Sequence, residues 1–238
     1  MNFFSYGQYT QHGDSIASVK VKKINYKAFI IPSALIGYGI IGLESHTLKD
    51  FNLQARKELS EHIDEQLTID DFSQYTPFLS VYALNGFGVT GKHNFKDRTI
   101  VLVTSYLIMG GTVNLLKNAS NVLRPDDTSK NSFPSGHTAT AFMGAEFLWQ
   151  EYKNVSVWYG IAGYSIAAGT GLFRMYNNRH WITDVAAGAG IGILSTKIAY
   201  LLHPWIKKTL FGNHESANAC VLPFYNGKES GLGVTITF

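Results

Sequence analysis

The sequence predicts an all-α, polytopic membrane helix bundle of about six transmembrane helices, closed by a small strand-like C-terminal tail. Charge is scarce: 16% of the 238 residues are Asp, Glu, Lys or Arg, against roughly 25% in an average soluble domain. It is also unevenly spread, for residues 28–43, 72–91, 99–116 and 154–173 contain no charged side chain. Two further apolar runs, 137–149 and 185–206, carry one each, Glu146 and Lys197. A membrane helix needs about 20 mostly apolar residues, and the 23 glycines suit helices that pack closely in lipid. A soluble bundle of buried helices is the competing arrangement, but four such charge-free runs are hard to place in a soluble surface.

Residues 1–27 form a polar N-terminal segment expected to be cytoplasmic, with Lys20, Lys22, Lys23 and Lys27 just before the first run. Gly42-Leu43-Glu44-Ser45 follows that run where a cleavable leader would show a small-x-small site, so the first helix is expected to stay uncleaved. Residues 44–72 hold eight acidic and three basic side chains, and the stretch from Asn52 to Leu59 reads as an interfacial or extramembrane helix. Residues 28–210 make the six-helix domain. In the tail, 211–238, Val234, Ile236 and Phe238 alternate with Thr235 and Thr237. Asn226-Gly227 can turn the chain back after 221–225, which predicts a β-hairpin.

Six spans alternate sides, and the loop charges test the count. With the N-terminus inside, inner segments hold 12 Lys and Arg residues and outer segments 8. That bias predicts both termini in the cytoplasm. The net charge of +3 is too small for a nucleic-acid partner. Cys220 is the sole cysteine, which excludes an intrachain disulfide and a cysteine zinc site.

Three polar clusters fall on the outer side of this topology. They are Lys117 to Arg124-Pro125, then Phe133-Pro134-Ser135-Gly136-His137, then Arg174 to Arg179-His180 and Asp184. Singly, each has a plain reading: interfacial anchors and a helix stop, a helix start, a surface pair. Together they supply the parts of a phosphoryl-transfer site. His180 and Asp184, four apart on a helix, let the carboxylate fix the imidazole tautomer and leave the other nitrogen as nucleophile. Ser135, Gly136 and His137 open a helix whose free N–H groups can cradle phosphate oxygens. Lys117, Arg124 and Arg174 bring three cations for the equatorial oxygens. His137 remains to protonate the leaving oxygen. No metal or cofactor is called for.

These motifs resemble those of the type 2 phosphatidic acid phosphatase family, whose site is shared with bacterial nonspecific acid phosphatases and vanadium haloperoxidases. The family patterns are Lys-x6-Arg-Pro, Pro-Ser-Gly-His and Ser-Arg-x5-His-x3-Asp. The chain matches the first with Lys117, Arg124 and Pro125, and the second with Pro134, Ser135, Gly136 and His137. It matches the third with Arg174, His180 and Asp184, while Phe173 stands in place of the leading Ser. The resemblance implies a multi-pass inner-membrane phosphatase with its site at the extracytoplasmic face. Such an enzyme hydrolyses phosphate monoesters or diphosphates of lipids through a phosphohistidine. Candidate substrates are undecaprenyl diphosphate, phosphatidic acid, phosphatidylglycerol phosphate and lipid A. A phosphotransferase and a vanadate-dependent haloperoxidase are the alternatives on the same residues.

Lesser expectations complete the reading. Asn177 and Asn178 should cap the helix bearing His180. At ~1.5 Å per residue, Glu146 and Lys197 lie about 13 and 20 Å below the site. Those depths disagree, so Lys197 is expected to snorkel rather than pair. Trp149, Trp158, Trp181 and Trp205 read as interfacial anchors, and His46, His62, His93 and His214 as solvated.

Overall fold

A computed structural model describes residues 26–60, 68–212, 218–225 and 230–237. A short 3-10 turn, Tyr26–Phe29, leads into α1 (Ile30–Glu44), followed by α2 (His46–Ser60), α3 (Ile69–Ser73) and α4 (Thr76–Gly86). The long helices are α5 (Phe95–Ser120), α6 (Gly136–Tyr152), α7 (Val157–Tyr176) and α8 (Ile182–Phe211). Two strands, β1 (Asn218–Tyr225) and β2 (Ser230–Thr237), pair antiparallel as the tail's alternation predicts. The expected Asn226-Gly227 turn and most of the N-terminal segment lie outside the described residues.

Each of the six apolar runs forms a helix of the bundle, and the fold is that of a helical membrane protein. Among the described residues, three helices are long and apolar enough to cross a membrane: Tyr26–Glu44, Phe95–Ser120 and Ile182–Phe211. The run 72–91 yields the least. Pro77 starts α4 in its first turn, and the chain leaves the helix at Phe87 before Gly88, whose φ of 88° suits a residue without a Cβ. Eleven helical residues at about 1.5 Å each reach only about 17 Å.

The bundle centres on α8, which packs against α1, α5 and α6. Small residues make this contact close. A Cβ on Gly192 would stand 2.3 Å from the Ala139 carbonyl oxygen of α6, and one on Gly190 would stand 2.5 Å from the Pro32 carbonyl oxygen of α1. Both distances are far inside van der Waals contact, so a methyl at either position would push a neighbouring helix away. A core of Met109, Val113, Ala139, Met143 and Ile191 fills the space between α5, α6 and α8.

Glu146 and Lys197 do pair, at 2.7 Å, against the expectation from their depths. Helical side chains lean toward the helix N-terminus, and α8 starts at the site end, so the long Lys197 stem reaches back to Glu146. Tyr164 Oη also donates to Glu146, and Gln150 Nε2 donates to it at 2.6 Å. His93 departs from its solvated reading too. Its Nδ1 lies 2.6 Å from Glu151, whose side chain is fully buried. Lys207 and Asp97 pair nearby at 2.9 Å, which ties down the end of the bundle opposite the three motifs.

Candidate active site

Four helix ends deliver the motif residues to one place. Lys117 sits in the last turn of α5, His137 in the first turn of α6, Arg174 in the last turn of α7 and Asp184 in the first turn of α8. The segment between α5 and α6 carries Arg124 and folds over the same end. Its N–H at Ser132 donates to the Val122 carbonyl at 2.9 Å, and that at Arg124 to the Ser129 carbonyl at 3.0 Å.

His180 lies just outside α8 rather than on it, before the N-cap Trp181. Asp184 therefore does a second job: its Oδ2 accepts the Trp181 N–H at 2.9 Å and closes the helix end. The same oxygen accepts the Ser132 hydroxyl at 2.5 Å, whereas His180 Nδ1 stands 3.6 Å from it and 3.4 Å from Ser132 Oγ. At 3.6 Å there is no direct hydrogen bond, so the expected His–Asp contact runs through Ser132. Ser132 was not among the expected site residues, for a serine two positions before a proline carries no signal of its own. All three are buried, His180 at 3% exposure and the other two at 0%. Burial pulls the His180 pKa from 6.5 down to about 4; Lys117 and Arg174 lower it further, and only Asp184 opposes them. The ring is therefore neutral at ordinary pH.

Arg124, His137 and Arg174 line one cavity of about 280 Å³, together with Arg179, Asn177, Thr68, Asp70 and Asp71. Burial and the neighbouring Arg174 hold the Arg124 pKa below its usual value. Lys117 stays apart from the cavity lining and donates to the Asn131 carbonyl at 2.5 Å. Ser135 is also absent from it. Its N–H donates to the Asp184 carbonyl at 3.0 Å and its hydroxyl meets Thr138 Oγ1 at 2.9 Å, so it caps α6 from inside. The N–H groups of Gly136 and His137 have no partner among the described residues and keep the character of an anion cradle.

Two carboxylates that the sequence did not single out, Asp70 and Asp71, stand inside the site. Asp70, 1% exposed, accepts from Arg174 Nη1 and, at 2.8 Å, from Asn177 Nδ2. Asp71 Oδ1 lies 3.0 Å from His137 Nε2 and 3.8 Å from Arg174 Nη1. The acidic doublet stands just ahead of an apolar run, where a solvated helix start is the ordinary reading. Asn177 is the C-cap of α7, so it ends the helix of Arg174 instead of starting that of His180. Asp70, Asp71 and His137 offer ligand atoms within 4.8 Å of one another. Both oxygens of Asp70 are already taken by Arg174 and Asn177, so its charge is compensated without an ion.

The amphipathic α2 roofs the second half of the site. Asn52 Nδ2 donates to Thr183 Oγ1 and Arg56 Nε to Asn178 Oδ1, both at 3.0 Å. Arg56 also stands 5.9 Å over the Trp181 ring, whose Nε1 donates to the Leu123 carbonyl at 2.9 Å. Trp181 thus locks the arginine loop to α8 rather than serving only as an interfacial anchor.

Fold and site together define a helical bundle whose motif residues gather at one end, and a family model of the PAP2 superfamily matches residues 98–208, the stretch that carries all three motifs. The chain is 35% identical over 202 residues to a lipid A 1-phosphatase of Porphyromonas gingivalis. That match takes in 79% of this chain but only 44% of the relative, so the chain spans less than half the length of that protein. Among solved structures it is similar to LpxE of Aquifex aeolicus, with a TM-score of 0.51 at 23% identity, covering 63% of this chain and 95% of the other. That likeness is one of fold.

Proposed function

We propose that this protein is an integral membrane phosphatase that removes phosphate monoester or diphosphate groups from lipids at the extracytoplasmic face, without a metal. The observation that carries the reading is the gathering of Arg124, His137 and Arg174 on one cavity; His180, buried and neutral, is absent from its lining but feels the charges of Lys117 and Arg174. In the first step His180 Nε2 attacks phosphorus, the bond from phosphorus to the lipid oxygen breaks, and His137 gives that oxygen a proton. In the second, water gives His137 its proton and attacks the phosphohistidine, and inorganic phosphate leaves. Lys117, Arg124, Arg174 and the α6 N-terminus hold the non-bridging oxygens, where charge develops. Asp184, through Ser132, orients the nucleophile. Phe173, half-buried, removes one hydroxyl that the family pattern carries.

Lipid A 1-phosphate heads the substrate panel, because the Porphyromonas relative is named for that activity. The deciding experiment measures phosphate released by purified protein from lipid A, undecaprenyl diphosphate, phosphatidic acid and phosphatidylglycerol phosphate. Release from none of them overturns the proposal. For sidedness, Lys96→Cys and Lys130→Cys in a Cys220→Ser background should label from opposite sides of sealed vesicles with an impermeant thiol reagent. Labelling from one side would refute the orientation.

A further inference from the structure

We infer that Asp71 is a positioning residue for His137, committing Nε2 of that imidazole and leaving Nδ1 as the nitrogen that hands a proton to the leaving group. The inference rests on the phosphatase reading and deepens it.

Three observations lead to it. Asp71 Oδ1 lies 3.0 Å from His137 Nε2, whereas His137 Nδ1 has no partner among the described residues. His137 and Asp71 both line the arginine-bearing cavity, so a group bound there lies within reach of the ring. Asp71 is held in place by its neighbours rather than by solvent. Asp70 is anchored to Arg174 and Asn177, and Ser73 Oγ meets Thr170 Oγ1 at 2.7 Å. The short helix α3 is thereby stitched to α7, and Asp71 arrives at His137 from a fixed platform. A carboxylate on Nε2–H orients the ring and leaves Nδ1 as the nitrogen that takes up the second proton, so the imidazolium gives that proton back from Nδ1. No atom beyond the proposed reaction is required: the proton on Nδ1 moves to the departing oxygen, and water restores it.

A rival role for the same carboxylate is obstruction, with Asp71 occupying the place of a phosphate oxygen until substrate displaces it. The two roles make opposite forecasts for Asp71→Asn. The side chain is 54% exposed, so the variant should fold, and its melting temperature in detergent checks that it does. With a positioning role, kcat on an alkyl phosphate monoester falls by about tenfold or more at nearly unchanged KM. On 4-nitrophenyl phosphate, whose leaving group departs without a proton, it falls much less, and Asp71→Glu recovers part of the alkyl activity. An equal loss on both esters would assign Asp71 to the scaffold and overturn the inference, and a gain on either would establish obstruction. Wild-type protein that releases phosphate from no ester would instead remove the phosphatase reading, so the two failures are separable.

Discussion

His180 and His137 each face an aspartate, in opposite surroundings. His180 and Asp184 are 3% and 0% exposed, whereas the side chains of His137 and Asp71 are 30% and 54% exposed. Burial strips the first histidine of its proton, with a pKa of about 4, and an unprotonated ring is what a nucleophile must be. Burial and Arg174 lower the pKa of the second as well, but its ring borders an open cavity, where it can exchange protons with water. The two aspartates differ as well. Asp184 accepts the Ser132 hydroxyl and the Trp181 N–H on one oxygen, and its buried Oδ1 has no partner among the described residues. Asp71 meets His137 at 3.0 Å and Arg174 at 3.8 Å, at the rim. On the proposed mechanism, one residue pairing thus serves two chemical ends, in two different degrees of contact with solvent.

The largest effect that can break this comparison is His180→Ala, which should cost at least ~10⁴-fold in kcat and abolish acid-labile phosphoenzyme. Phosphoryl label mapped to His137 instead would reverse the two roles. Next comes His137→Ala, expected to cost ~10²–10⁴-fold on alkyl esters and much less on a nitrophenyl ester. Arg174→Ala or Arg124→Ala should each cost about 10²–10³-fold, read as kcat with vanadate inhibition weakened in parallel. Ser132→Ala should cost less, about tenfold, since Asp184 keeps the Trp181 N–H. A loss as large as that of Asp184→Asn would make Ser132 an equal member of the site.

Acid sharpens the contrast further. His180 takes up its proton near pH 4 when folded and near 6.5 when unfolded. The unfolded chain therefore binds more protons between those values, and stability falls as pH drops from 6.5 toward 4. His180→Gln should flatten that part of a melting-temperature profile. The smallest expected effect is that of EDTA, which should leave activity unchanged. Inactivation reversed by Mg²⁺ would turn Asp70, Asp71 and His137 into ligands.

The helical runs and the motif residues were legible because charge-free length and fixed spacings are local properties of a sequence. Ser132, Asp70 and Asp71 were not, because their importance arises only when the 121–135 segment and α3 fold back over helix ends far away in the chain. The distance between His180 and Asp184 failed for a related reason. Four residues apart implies one helix face, yet α8 begins after His180, so the pair straddles a helix start. Lys197 was misjudged from Cα depth alone, without the direction in which a helical side chain leans.

The ion pair between Glu146 and Lys197 also has a bearing on biogenesis. The two residues lie on α6 and α8, with the whole of α7 between them, so Glu146 is synthesised 51 positions ahead of its partner. A charged side chain near the middle of a lone helix costs about 2.5–3.5 kcal/mol to insert, and in a six-span arrangement α6 would carry that burden until α8 emerges. The pair therefore makes the last helix a condition for stable residence of an earlier one. A nascent chain arrested before Lys197 should be extracted from the membrane far more readily than one arrested after it, and Glu146→Gln should narrow that difference.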